Sequence, residues 1–103
     1  MVHRLVVSYG EPADPAAFDT HYRDTHAPLA KKMPGLVRYT YGHARSLDPS
    51  QPAPYLVAEL DFDSEQAMGE AFRSPEGQAA SADVATFASG GASMTSFDVL
   101  TVS

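Results

Sequence analysis

Cysteine is absent from all 103 residues, which removes disulfide staples, thiolate nucleophiles and Cys-ligated zinc or iron–sulfur sites together. Long apolar runs are missing as well: nothing approaches the roughly 20 residues a membrane span needs. Met1 to Tyr9 alternates in polarity rather than forming an apolar signal core behind a basic segment. The expectation is a cytoplasmic protein, neither secreted by that route nor embedded in a membrane. Cations are scarce, with seven Lys and Arg against thirteen Asp and Glu and a net charge of -6. That balance argues against nucleic acid, whose affinity comes mainly from cations neutralising phosphates. The basic residues are scattered apart from Lys31-Lys32, a pair that suits a helix C-terminus, where cations interact favourably with the helix dipole.

What is present reads as one domain over 1–103, since smaller pieces would lack a sufficient core. Residues 2–9 are β-branched and aromatic-rich and close at Gly10 and Pro12, so they predict a strand. Asp14-Pro15 then opens a helix, Asp14 accepting from free amides and Pro15 having no amide to satisfy. Phe18, Tyr22, Thr25, Leu29 and Met33 recur every three or four positions as its inward stripe. Pro28 should bend that helix or interrupt its hydrogen-bond ladder, and Pro34-Gly35 ends it. A second strand is predicted over 36–46, a proline-bearing surface loop over 47–54, and a third strand over 55–62. Asp63-Ser64 caps a further helix, Ser74-Pro75-Glu76 restarts it, Gly90-Gly91 ends it, and a last strand spans 93–102. Strand, helix, strand, strand, helix, strand is the β-α-β-β-α-β order of an α+β fold, with both helices on one face of a four-stranded antiparallel sheet. Each strand carries apolar residues on both sides, so the uncovered face invites a second copy, giving a homodimer joined through its sheet faces.

Four histidines are the groups whose unperturbed pKa lies near neutrality. His3 and His43 sit on short strands amid polar neighbours, which fits structural or exposed roles, and His21 lies at the edge of the inward stripe, which fits the surface. His26 differs: it follows Tyr22 by one turn, flanks a buried stripe and adjoins the Pro28 interruption. Such a position suits either a polar group aimed into an apolar cavity or a buried histidine bonded to a tyrosine or carbonyl. His21 and His26 are five apart, roughly 140° around a regular helix, so no shared metal ion is expected. No glycine spacing cradles a phosphate, and neither G-x-S-x-G nor a glycosidase-type acid pair occurs. The rings of Phe18, Tyr22, Tyr39, Tyr41, Phe72 and Phe87, with Leu29, fall where they either fill the core or wall a pocket. Many alanines in the second helical region and little leucine or isoleucine leave room there for a flat organic ligand.

Asp14-Pro15-Ala16-Ala17-Phe18, Tyr22, His26-Ala27-Pro28-Leu29 and Pro34-Gly35-Leu36 with Tyr39 occur in that order. They are followed by Phe62-Asp63-Ser64, Ser74-Pro75-Glu76-Gly77, and Asp83 with Phe87 before Gly90-Gly91. Together these segments, covering nearly the whole chain, resemble the EthD-like proteins. The resemblance implies a ferredoxin-like subunit, a dimeric α+β barrel with facing sheets, and a pocket between each sheet and its own helices. It places His26 at the family's histidine. The family takes its name from ethyl tert-butyl ether degradation, where its member acts beside an oxygenase system. Proteins similar in fold include cofactor-free monooxygenases, polyketide cyclases and muconolactone isomerase, which are analogies, because fold does not fix function.

Three functions compete at this point. One is an enzyme for a small hydrophobic or aromatic compound, needing no cofactor, with His26 as general acid or base and Tyr22 or Tyr41 orienting it or polarising a carbonyl. A second is a noncatalytic carrier dimer in which His26 donates one hydrogen bond. A third is a structural dimer with a filled interior.

Overall fold

Alternation along the first strand, β1 (His3–Tyr9), sends His3, Leu5, Val7 and Tyr9 to the buried side and leaves Arg4, Val6 and Ser8 on the other. This computed structural model describes residues 1–103. Strand β3 (Leu56–Phe62) pairs with β1, β2 (Leu36–His43) with β3, and β4 (Ala92–Asp98) with β1, every pair antiparallel. The resulting order, β2-β3-β1-β4, is that of a ferredoxin-like α+β sheet. Helical segments α1 (Pro15–His21), α2 (Ala27–Ala30), α3 (Glu65–Arg73) and α4 (Pro75–Phe87) connect the strands. No helix is long and apolar enough to cross a membrane.

Local chemistry sets the helix starts. Asp14 accepts from the Ala17 amide at 3.1 Å, Ser64 from Ala67 at 3.0 Å and Ser74 from Gly77 at 3.0 Å. Ser74 also donates to the Ala71 carbonyl at 2.6 Å, so one hydroxyl closes α3 and opens α4. That junction is tight: a Cβ on Gly77 would lie 2.1 Å from the Ala71 carbonyl oxygen.

Between α1 and α2 the chain winds as a π-helix, Tyr22–His26, with the Ala27 amide donating to the Tyr22 carbonyl. Proline two positions later cannot donate and its ring presses on the carbonyl four residues back, and the wider turn accommodates both defects. The inward register changes as a result. Phe18 and Tyr22 face the core as expected, but the stripe continues through His26, Ala30 and Met33, while Thr25 is exposed and Leu29 only half-buried. In a regular helix four residues overshoot a turn by about 40°, and a π-turn, which takes more residues per turn, reduces that drift.

Two strands end sooner than predicted. β4 stops at Asp98 because its partner β1 begins at His3, and the last bond runs from the Val99 amide to the Val2 carbonyl at 2.8 Å. β2 stops at His43, after which the Ala44 amide still reaches the Tyr55 carbonyl at 3.2 Å before the chain leaves the sheet. The open sheet face also differs from the apolar surface expected. Val6, Val57 and Phe97 lie there among Thr40, Glu59 and Thr95, around an ion pair in which Arg4 grips Asp61 at 2.8 and 3.0 Å. Strand alternation produced the apolar positions, but the polar partners on β1 and β3 share their face.

Candidate functional site

His26 reaches the interior because the π-turn holds it in line with Tyr22 and Ala30, and it is only 5 % exposed. Its Nδ1 lies 3.0 Å from Asp83 Oδ2, a carboxylate delivered from α4. His21 Nε2 contacts both oxygens of the same carboxylate at 3.0 Å. The separation expected for a regular helix therefore does not hold: the π-winding begins directly after His21, and both imidazoles converge on one acid. The Thr86 hydroxyl lies 2.7 Å from the Asp83 backbone carbonyl and 3.1 Å from Asp83 Oδ1, both of which can accept its hydrogen. Burial alone would raise the Asp83 carboxyl, but hydrogen bonds from His21, His26 and Thr86 bring it below the ordinary carboxylate value. Burial likewise pushes His26 below the usual histidine value, against the opposing pull of Asp83. At neutral pH the site thus holds a carboxylate and a neutral imidazole. An ionised Asp83 can only accept, so Nδ1 carries the hydrogen and the Nε2 lone pair is free. No protein group bonds Nε2, and the sealed side-chain atom lacking any partner is His3 Nε2 instead.

The tyrosines form a separate network. The hydroxyls of Tyr22 and Tyr39 are 2.6 Å apart, while the Tyr22 ring lies 4.7 Å from Tyr41 and 5.2 Å from His26. Burial raises both phenols, Tyr39 to about 12, so they remain donors across the physiological range. The group that orients His26 is Asp83, and no tyrosine hydroxyl bonds the imidazole.

His26, Tyr22, Tyr39 and Phe72 border a space between helices and sheet that Leu60, Ala80, Val84 and Met94 help enclose. Thirteen of its fifteen lining residues are hydrophobic, and the free volume is ≈ 30 Å³, about the share of one water molecule. Phe18 and Phe87 stand behind this wall. Phe87 packs at 4.8 Å from the His26 ring and 5.0 Å from His21, and Phe18 at 5.3 Å from Tyr55. Tyr41 is 45 % exposed and lies against the outer edge of Tyr22. Leu29 points away, beside Pro75 and Ala79. His3 is buried and bonds Asp98 at 2.8 Å, whereas His43 is half-exposed and meets Asp19 at 3.0 Å.

Sequence reasoning missed Asp83 as the carboxylate partner and His21 as its second donor. The available signal was weak: an acid one position before Val84 and four before Phe87, hence on the flank of an apolar helical stripe.

The EthD domain family matches residues 10–91. An uncharacterized 11.0 kDa protein from the thcB-thcC intergenic region of Rhodococcus erythropolis is 48% identical over 98% of either chain. The crystal structure of an ethyl tert-butyl ether degradation (EthD) family protein from Bacillus halodurans is 32% identical, with a TM-score of 0.88 over 97% of this chain and 100% of that one. Two more distant structures share the fold alone. A dimeric ferredoxin-like protein of unknown function from Thermobifida fusca is 17% identical (TM-score 0.74, 96% and 92% covered). SnoaB, a cofactor-independent oxygenase from Streptomyces nogalater, is 18% identical (TM-score 0.66, 98% and 94% covered).

Proposed function

The chain belongs to the EthD family, and on that premise we propose that it takes a small hydrophobic or aromatic compound between helices and sheet, where His26 moves a proton. The observation that carries this reading is the contact of His26 Nδ1 with Asp83 at 3.0 Å, which leaves Nε2 without a protein partner at the cavity wall. Nε2 removes a proton from an acidic C–H or O–H of the ligand. The imidazolium formed is stabilised by the Asp83 carboxylate, which stays ionised. Of the Tyr22 and Tyr39 hydroxyls, one donates to the other and the second is left to donate to a ligand oxygen that gains charge. Proton removal of this kind is a first step common to isomerase, cyclase and cofactor-free oxygenase chemistry. It needs neither a metal nor an organic cofactor.

The water-sized interior requires the walls to part before a ring can enter. Met33 and Met94, unbranched and adaptable, stand at this wall. The same feature supports a second reading, a noncatalytic carrier, in which His26 accepts or donates one hydrogen bond and no proton is moved. A hydrophobic ketone distinguishes the two. With 2-tetralone in deuterated buffer near neutrality, exchange of the acidic C–H should be catalysed by the protein, and His26→Ala should slow it roughly 10²–10⁴-fold. Asp83→Asn should slow it as well, since an amide N–H that donates to Nδ1 leaves the hydrogen on Nε2 and removes the base. Binding without exchange favours the carrier, and no binding removes both readings.

The assembly is proposed to be a homodimer of facing sheets. Support comes from the apolar residues Val6, Val57 and Phe97 on the face no helix covers, and from the dimeric description of the Thermobifida fusca structure.

A further inference from the structure

A second concavity runs along the outer side of β2, between that strand and the turn from Arg23 to Lys31, with ≈ 600 Å³ of free space. Arg23, Lys31 and Arg38 line it, with Pro28, Tyr39 and Tyr41. In a chain with seven Lys and Arg against thirteen acids, three cations and no carboxylate in one groove is a local reversal of charge. Arg23 is occupied by Asp24 at 2.8 and 3.0 Å. Arg38 stands opposite Asp61 in the ladder and so leaves from the open sheet face, at its rim because β2 is an edge strand. Asp61 is gripped by Arg4, and neither Lys31 nor Arg38 makes an ion pair. Tyr39 borders both this groove and the His26 cavity, and is the residue that the linings of the cationic exterior and the apolar interior share.

We propose that the groove holds the acidic group of an amphipathic organic acid, a carboxylate on an apolar ring, whose ring passes Tyr39 into the cavity beside His26. The inference rests on the cavity being a ligand site. Its physical basis is the mismatch between the two spaces. A carboxylate inside the cavity would be stripped of water with the Asp83 carboxylate close behind His26, and neither compensates a buried anion. The ring has no such penalty there and gains from burial. The charged end of a mixed molecule is thus favoured outside, where Lys31 and Arg38 offer charge-assisted hydrogen bonds.

Two probes with the same ring test this: 2-naphthoate and 2-naphthylmethanol, titrated into the full chain and followed by amide NMR. The acid should bind about tenfold more tightly than the alcohol at low salt, with the difference shrinking as salt rises. Both should perturb the amides of Ala80 and Val84, which border the interior and not the groove. In the double variant Lys31→Gln, Arg38→Gln the acid should lose its advantage while the alcohol binds as before, which also reports an intact fold. Equal affinity for the two probes, or an acid advantage that survives in the double variant, overturns the inference and leaves the cavity reading standing. So does acid binding that leaves Ala80 and Val84 undisturbed while the alcohol still moves them. Binding of neither probe overturns both.

Discussion

Every histidine in this chain is set against an aspartate: His3 with Asp98, His43 with Asp19, and His21 and His26 together with Asp83. Burial distinguishes His26 from the half-exposed His43, and the consequence is thermodynamic. Its pKa in the folded chain lies below the ordinary 6.5. As pH falls below 6.5, the unfolded chain takes up a proton that the folded chain refuses, so stability declines. The contribution is complete above 6.5 and is lost as pH falls through the folded value. Urea unfolding of wild type and His26→Gln between pH 7.5 and 5 should give a shallower decline in the variant, the difference between the profiles isolating this one ring. An identical slope would mean that the imidazole is solvated. The importance of His26 was legible from its neighbours in sequence. That of Asp83 was not, because it comes from a contact between residues 57 positions apart, on which local periodicity carries no information.

Helix starts were the most readable elements, since Asp14-Pro15, Ser64 and Ser74-Pro75 act within three residues of themselves. Strand ends were less so, because β2 and β4 stop where a partner stops, not where their own side chains change. The π-turn was half-legible: Pro28 announced an interrupted ladder, but which residues the new winding would turn inward depends on packing against α4. The α3–α4 junction gives a sharp test of element packing. A methyl at Gly77 would meet the Ala71 carbonyl oxygen and the Phe72 Cα at 2.1 and 2.7 Å, both backbone, so Gly77→Ala has to push the two helices apart. Overpacking of this kind costs about 1–3 kcal/mol, and thermal unfolding should shift down by roughly 4–8 °C for each kcal/mol. Gly42→Ala, which meets nothing within 4 Å, serves as the control and should leave the midpoint near wild type.

Taken whole, the chain is a slab of 37 × 35 × 17 Å, one layer of helices on one layer of strands. Its broad face can supply the roughly 800 Å² per partner that a stable interface buries. Sedimentation at micromolar concentration should accordingly give the mass of two chains. Phe97→Lys, which places a charge at an exposed ring on that face, should shift the equilibrium towards one. The four-stranded layer was predictable from the order and composition of the strands, whereas the Arg4–Asp61 pair at its centre was not, because it joins residues 57 positions apart on neighbouring strands. The thinness of the slab has its own effect on how a guest is admitted. Ala80, Val84, Phe72 and Met33 all hang from the helical storey, while Leu5, Ala58 and Leu60 are fixed in a hydrogen-bonded floor. Making room means lifting the roof, so occupancy should slow deuterium uptake along α3 and α4 far more than along the middle strands.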